Sequence, residues 1–311
     1  TVARDTAGTQ AAVQSFVKAY NDLNKTITDL SKYDAANKRS STLTGDATVR
    51  SVQAQLRGVF NTALSTAGGG LRALPDIGIT FQKDGTLKLD SAKLNTALGD
   101  ATKDLSTLIA AVAKPTDSLV SFASSTADTK NGAYLLNVSQ LATQGKAVGG
   151  GAAVLTITAG SNDTLNLTVD GVAAGVTLAA GVYNATALAA EIQSKINGVI
   201  ALSSAGISVT VTQSAGVLSV TSNRYGSAST VAITGGTGKP DLFGTQTETA
   251  GVNVAGTIGG ITATGSGQTL TGTGDASGLA LNVTGGATGA RGTVNFARGY
   301  AYELDKLAGK M

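Results

Sequence analysis

A chain of 311 residues with 23 Lys and Arg against 20 Asp and Glu carries a formal net charge of only +3, and no basic stripe stands out to track phosphates. The complete absence of Cys and His removes disulfides, thiolate and imidazole metal sites, and both Ser-His-Asp and Cys-His catalysis. No apolar run approaches the roughly 20 residues that span a bilayer, so no nucleic acid, membrane, metal or cofactor is expected as a partner. Thr1 stands where a start Met would be, and helical spacing resumes only at the far end, so the sequence is expected to be an excerpt of a longer chain.

Composition changes near Pro115. Residues 1–114 hold 24 charged residues and 9 Gly, whereas residues 115–297 hold 14 charged residues and 30 Gly. In the first part, Val13, Phe16, Tyr20, Leu23, Ile27 and Leu30 recur at spacings of 3, 4, 3, 4 and 3, the heptad seam of an amphipathic helix. A second helix, capped by Asp46, repeats the spacing through Val49, Val52, Leu56, Val59 and Ala63. Each helix is short for a free coiled coil, so the two are read as neighbours in an antiparallel bundle whose packing seam is formed by these residues. The period then falls to two at Ile77, Ile79 and Phe81. A turn at Lys83-Asp84-Gly85 leads into Leu87 and Leu89, a hairpin signal. Asp90 caps a predicted third helix carrying Leu94, Leu98, Leu105 and Leu108, weakened by Gly99.

From Gly132 onward strands are predicted, with alternation at Tyr134, Leu136 and Val138, at Leu165, Leu167 and Val169 before an Asp170-Gly171 turn, and at Ile207, Val209 and Val211. Leu218 and Val220 continue beyond a Ser214-Ala215-Gly216 turn. One helix is expected among them, with Leu188, Ile192 and Ile196 on one face and Asn184 or Thr186 as its cap. A Gly- and Thr-rich stretch over 251–297 carries weaker strand signals at Leu279, Leu281, Val283, Val294 and Phe296. Helical spacing returns through Tyr300, Leu304 and Leu307. The order predicts an α+β protein: a helical bundle stalk with a hairpin at 1–114, a linker at 115–131, and an inserted β-rich head with one packed helix at 132–250. A second, smaller β lobe follows at 251–297, and the start of a returning stalk helix at 298–311.

Motifs that suggest other chemistry are incomplete. GGTGKP at 235–240 has the Gly-Lys pair of a phosphate loop but places Pro240 where Ser or Thr would hold magnesium, so it reads as a turn. GTGDAS at 272–277 occurs once, too few copies for a stacked calcium array, and Asp163, Asp170 and Asp275 read as turn residues. Asp100 and Asp104 are read as a solvated face of the third helix. No catalytic residue is assigned, and an enzyme is not expected.

Four blocks carry a family resemblance. AAVQSFVKAYNDL at 11–23, LTGDATVRSVQAQLR at 43–57, LPDIGITFQKDGTLKLDSAKLNTAL at 74–98 and GTVNFARGYAYELDKL at 292–307 resemble, in order, the C-terminal region of the flagellar filament cap family, also called hook-associated protein 2. Residues 165–197 and 206–234 are similar to a module of flagellin-like axial proteins, with GAYLLNVSQLATQGK at 132–146 similar to the strand that precedes it. An insert of this size departs from the usual family pattern. The resemblance implies a structural protein exported through the flagellar secretion channel to the distal filament tip, outside the cell. There it would form a homo-oligomeric ring that guides flagellin into place, with hook-filament junction proteins as further partners. The alternatives are another axial component, a hook-filament junction protein or flagellin variant, or a surface adhesin whose β head binds host mucin or glycans.

Overall fold

The computed structural model describes residues 5–34, 38–64, 71–100 and 102–309; expectations for residues 1–4 and 310–311 lie outside them. The chain forms two compact units. One comprises Thr1–Pro115, Lys130–Tyr134 and Thr293–Met311, the other Thr116–Thr129 and Leu135–Gly292.

The first unit mixes helices with short strands. Its long helix, Thr6–Ser31, starts where Asp5 accepts the Gly8 N–H at 2.8 Å, satisfying one of the amides that the first turn leaves without a helical partner. Asp46 does the same for the helix Ala47–Asn61 through Thr48 and Val49. A 3-10 turn over Leu74–Ile77 ends on Gly78 in the left-handed region, which leads into the hairpin of Ile79–Phe81 and Leu87–Leu89. Asn21, on the long helix, donates to the Leu87 carbonyl at 2.9 Å and accepts the Leu87 N–H at 2.7 Å. One side chain thereby satisfies both main-chain groups on the outer edge of the hairpin.

The expected third helix is two pieces, Ser91–Gly99 and Ser106–Ile109. Asp90 caps the first as expected. Beyond Gly99, the carboxylate of Asp100 takes the N–H and hydroxyl of Thr102, and that of Asp104 takes those of Ser106. Such local side-chain bonds compete with the helical ladder and turn the chain. Asp100 and Asp104 therefore do not share a helix face. Leu94 and Leu108 still reach the same core, both fully buried. Strand Val112–Pro115 pairs with the end of strand Gly289–Ala297, and the returning helix spans Tyr300–Ala308.

The second unit is built from antiparallel strands. Val172–Thr177, Thr164–Val169 and Val231–Gly235 form a three-stranded sheet. Val209–Ser214, Val217–Ser222, Lys146–Ala152 and Thr247–Thr249 form a four-stranded one. Helix Ala185–Asn197, capped by Asn184 and not by Thr186, buries Leu188, Ile192 and Ile196 in their shared core. The turns at Asp170-Gly171 and Ala215-Gly216 hold both central residues at positive φ, the conformation that matches strand twist in two-residue hairpins. Two shorter helices, Ile200–Ser204 and Lys239–Leu242, accompany the one that the sequence suggests.

Strands Thr156–Ile157 and Gly181–Val182 pair with each other, and six further strands run in the order Gly132–Gln140, Ala255–Ile258, Ile261–Ser266, Thr269–Thr271, Ala280–Val283 and Val120–Ser124. The stretch 115–131, read from sequence as a linker, thus supplies a strand. Val120 is buried, and the Thr129 hydroxyl donates to the Ser277 carbonyl at 2.7 Å. Alternation at Val120 and Phe122 is the signal, masked by the Ser and Thr residues around it.

Two strand edges in this unit, those of Val209–Ser214 and Val231–Gly235, are occupied by side chains. Asn197 donates to the Val209 carbonyl at 2.9 Å and accepts its N–H at 2.8 Å, while Gln193 accepts the Val211 N–H. Glu248 and Gln246 treat Ile233 in the same way, one accepting its N–H and the other donating to its carbonyl. An edge so occupied is blocked against pairing with another chain. Replacing Asn197 with Ala leaves both Val209 groups unpaired, a cost of about 2 kcal/mol. Hydrogen exchange at the Val209 amide should accelerate roughly thirtyfold, whereas Asn137→Ala, at an exposed strand position, should leave that rate unchanged.

Candidate functional site

The residues proposed from sequence as a packing seam all lie in the first unit. Val13 and Tyr20 are buried and Phe16 and Ile27 half-buried, but Leu23 and Leu30 are 46% and 43% exposed. On the second helix Val49, Val52, Leu56 and Val59 are half-buried, and Ala63 lies beyond its end, exposed. The line that the long helix buries is Val13, Val17, Tyr20 and Asn24. Val13 and Tyr20 are common to both lines, and the exchange of Phe16 and Leu23 for Val17 and Asn24 rotates the buried stripe by roughly 50° about the helix axis, half of one residue's step. Its cause is the neighbourhood: the long helix packs on strand Leu87–Leu89 and helix Ser91–Gly99 as well as on the second helix.

Four aromatic contacts organise this core. Phe60 is their centre, with ring centroids 5.5 Å from Phe16, 5.7 Å from Tyr20 and 5.7 Å from Tyr300, and Tyr20 lies 5.8 Å from Phe81. The first three-way meeting of Phe16, Tyr20 and Phe60 uses edge-on geometry, the favoured arrangement for aromatic pairs. Phe60 is 3% exposed, yet it stands outside the heptad spacing of its helix. The signal that finds it is its position four residues after Leu56.

The two tyrosine hydroxyls of the core have polar partners, whereas the buried Arg57 Nε has none among the described residues. The Tyr300 hydroxyl donates to the Thr62 carbonyl at 2.9 Å, and burial pushes its phenol above the ordinary tyrosine range. Burial does the same to Tyr20, partly offset by a hydrogen bond from Arg57. The Arg57 guanidinium lies across the hairpin turn, where a Cβ on Gly85 would stand 2.0 Å from Nη2. Gly85 is favoured there by its φ of +84°, and a side chain at that position would also displace the Arg57 guanidinium. On the surface, Lys25 and Lys32 hold Asp29 down to about 2 through hydrogen bonds. Beside the returning helix, the Arg298 guanidinium stacks 3.8 Å above the Tyr302 ring.

A cleft of about 320 Å³ opens within this unit, lined by Ala12, Phe16, Phe60, Ile109, Ala301 and Leu304 among others. It is almost wholly apolar and brings no convergent donors or acceptors together, so it suits packing and offers no chemistry.

The motifs set aside above are structural in place. Residues 235–238 lie against strand Thr164–Val169, where a Cβ on Gly236 would come within 2.3 Å of the Thr164 carbonyl, and Pro240 sits in a four-residue helix. Asp163 accepts from Gly160, and Asp170 from Thr230 and Ser222. Asp275 lies in a 3-10 turn. Among the described residues no cluster of three acidic side chains is positioned to hold a metal ion.

Comparison with known proteins identifies the class. The family model for the flagellar hook-associated protein 2 C-terminus matches residues 1–168, more than half of the 311 residues, and the chain belongs to that family. The flagellar hook-associated protein 2 of Escherichia coli K12 is 36% identical over 121 residues, 36% of this chain and 25% of that protein. The B-type flagellar hook-associated protein 2 of Pseudomonas aeruginosa PAO1 is 38% identical over 102 residues, 32% of this chain and 21% of that protein. The chain therefore spans about a quarter of the length of the curated relatives it matches. Among solved structures, the D1-D2-D3 domains of the Escherichia coli flagellar cap protein FliD align over 69% of this chain and 64% of that one, at 20% identity and a TM-score of 0.43.

The aromatic core generates a direct test. Tyr20→Asp places a carboxylate among Phe60, Phe81 and Arg57 and should cost several kcal/mol, on the order of 3. Lys38→Asp, in an exposed turn at φ +51° that Asp tolerates, should be near neutral. Thermal melting of the two variants checks the contrast, and equal transitions would contradict the register described.

Proposed function

We propose that this chain is the C-terminal part of a flagellar filament cap, a structural and assembly protein that oligomerises at the distal filament tip and guides flagellin into the growing filament. Membership of the hook-associated protein 2 family carries this reading. In it the first unit is a helical stalk, the second unit a β head inserted between stalk elements, and the protein reaches the tip by export through the flagellar channel. Its partners are further copies of itself, flagellin and the hook-filament junction proteins.

The surface of the first unit supports such a role. Leu23 and Leu30 lie one helical repeat apart and are exposed, and the apolar cleft beside Phe16 and Leu304 adds to the uncovered surface. Contiguous apolar surface on a folded unit is characteristic of a face that meets another chain. The exposed Lys18–Asp22 and Lys25–Asp29 ion pairs lie on another face of the same helix and are left untouched by changes at Leu23 and Leu30.

Deleting the whole gene should leave cells that release unpolymerised flagellin and do not swim, and normal filaments on such cells would overturn the reading. Complementation with a Leu23→Asp, Leu30→Asp gene should fail to restore filaments although the protein is made and folded. Both side chains are already exposed, so the folding cost of these changes should stay within about 1 kcal/mol.

A further inference from the structure

We propose that Asn131 is a site of spontaneous covalent modification, losing ammonia to become aspartate or isoaspartate, and that the second Asn-Gly pair in the chain, Asn197-Gly198, is protected from the same reaction. The chemistry needs a glycine after asparagine because the next main-chain nitrogen must reach the side-chain carbonyl carbon, and a Cβ on that residue obstructs the approach.

The two pairs differ in their backbone setting and in how the leaving amide is held. Asn197 ends a thirteen-residue helix, its carboxamide is bonded at both ends to Val209, and the Gly198 N–H donates to the Ser194 carbonyl at 3.0 Å. Neither nucleophile nor leaving group is available without local opening. Asn131 stands exposed in a bend before strand Gly132–Gln140, followed by an exposed Gly132. Its amide nitrogen has no hydrogen-bond partner among the described residues, while its oxygen accepts the Arg298 main-chain N–H at 3.0 Å.

In the reaction the Gly132 nitrogen gives up its proton to hydroxide and bonds to Asn131 Cγ. The Cγ–Nδ2 bond then breaks, and ammonia leaves with a proton taken from water. The five-membered imide that remains takes up one water. Opening at Cγ gives aspartate; opening at the main-chain carbonyl carbon gives isoaspartate, with the backbone now routed through the side chain. The net change is one water in and one ammonia out. Isoaspartate lengthens the main chain just before Tyr134, whose hydroxyl bridges back to the Lys130 carbonyl at 2.6 Å, so it strains the turn that this bond closes.

The full chain, held at mildly alkaline pH, digested at intervals and read by mass spectrometry, tests the assignment. The peptide containing Asn131 should exchange its amide for a hydroxyl at least about tenfold faster than the peptide containing Asn197, since each 1.4 kcal/mol of local opening costs a factor of ten. Isoaspartyl methyltransferase should label the product. Gly132→Ala should slow the reaction at Asn131 without lowering the melting temperature, because the added Cβ would meet the Tyr134 ring at 3.6 Å, an ordinary contact. Equal rates at Asn131 and Asn197, or an undiminished rate in Gly132→Ala, would overturn the proposal.

Discussion

A side-chain amide bonded by both ends to one strand residue fixes helix depth, angle and register together, and this contact occurs once in each unit among the described residues. Asn21 reads Leu87 in the first unit, and Asn197 reads Val209 in the second. An apolar core alone tolerates sliding, because dispersion and burial are nearly indifferent to small shifts along a strand. A bidentate amide is not indifferent, since a shift of one residue leaves two buried main-chain groups without partners. The hydrophobic clusters around Phe60 and around Leu188 are therefore held in one arrangement by a few polar contacts at their rims.

The same contacts explain how a Gly- and Thr-rich β unit can present many strands without inviting uncontrolled pairing. Gln193 and Asn197 occupy the free edge of Val209–Ser214, and Gln246 and Glu248 that of Val231–Gly235. Under the proposed function this matters, because association of subunits would have to go through a chosen surface and not through any exposed edge. Uncovered apolar side chains include Leu23 and Leu30 on the long helix of the first unit, and Leu135, Val182 and Ile200 in the second. The proposed role would act through contacts, and a chain without Cys or His loses nothing by that.

Much of the architecture is legible in the sequence because its signals are local. Asp46, Asp90 and Asn184 announce helix starts through bonds that reach only two or three residues. The turns at Asp170-Gly171 and Ala215-Gly216 are likewise written in adjacent residues. The packing seam is less legible: heptad spacing locates the long helix, but the phase of its buried stripe depends on a hairpin 66 residues away. Spacing alone favours Leu23, whereas the structure buries Asn24. The strand Val120–Ser124 escapes notice because two apolar residues among Ser and Thr carry too little alternation, and its partner lies at Ala280–Val283. The break after Gly99 is readable in principle, since Asp100 and Asp104 each precede a Thr or Ser two residues on.

The most direct measurement is localisation by electron microscopy of the full-length gene product, carrying a small tag in the exposed Lys38 turn, on intact flagella. The account predicts label confined to the distal tip of each filament, as a discrete oligomeric plate. Label spread along the filament or gathered at its junction with the hook would contradict the cap assignment and identify a different axial component.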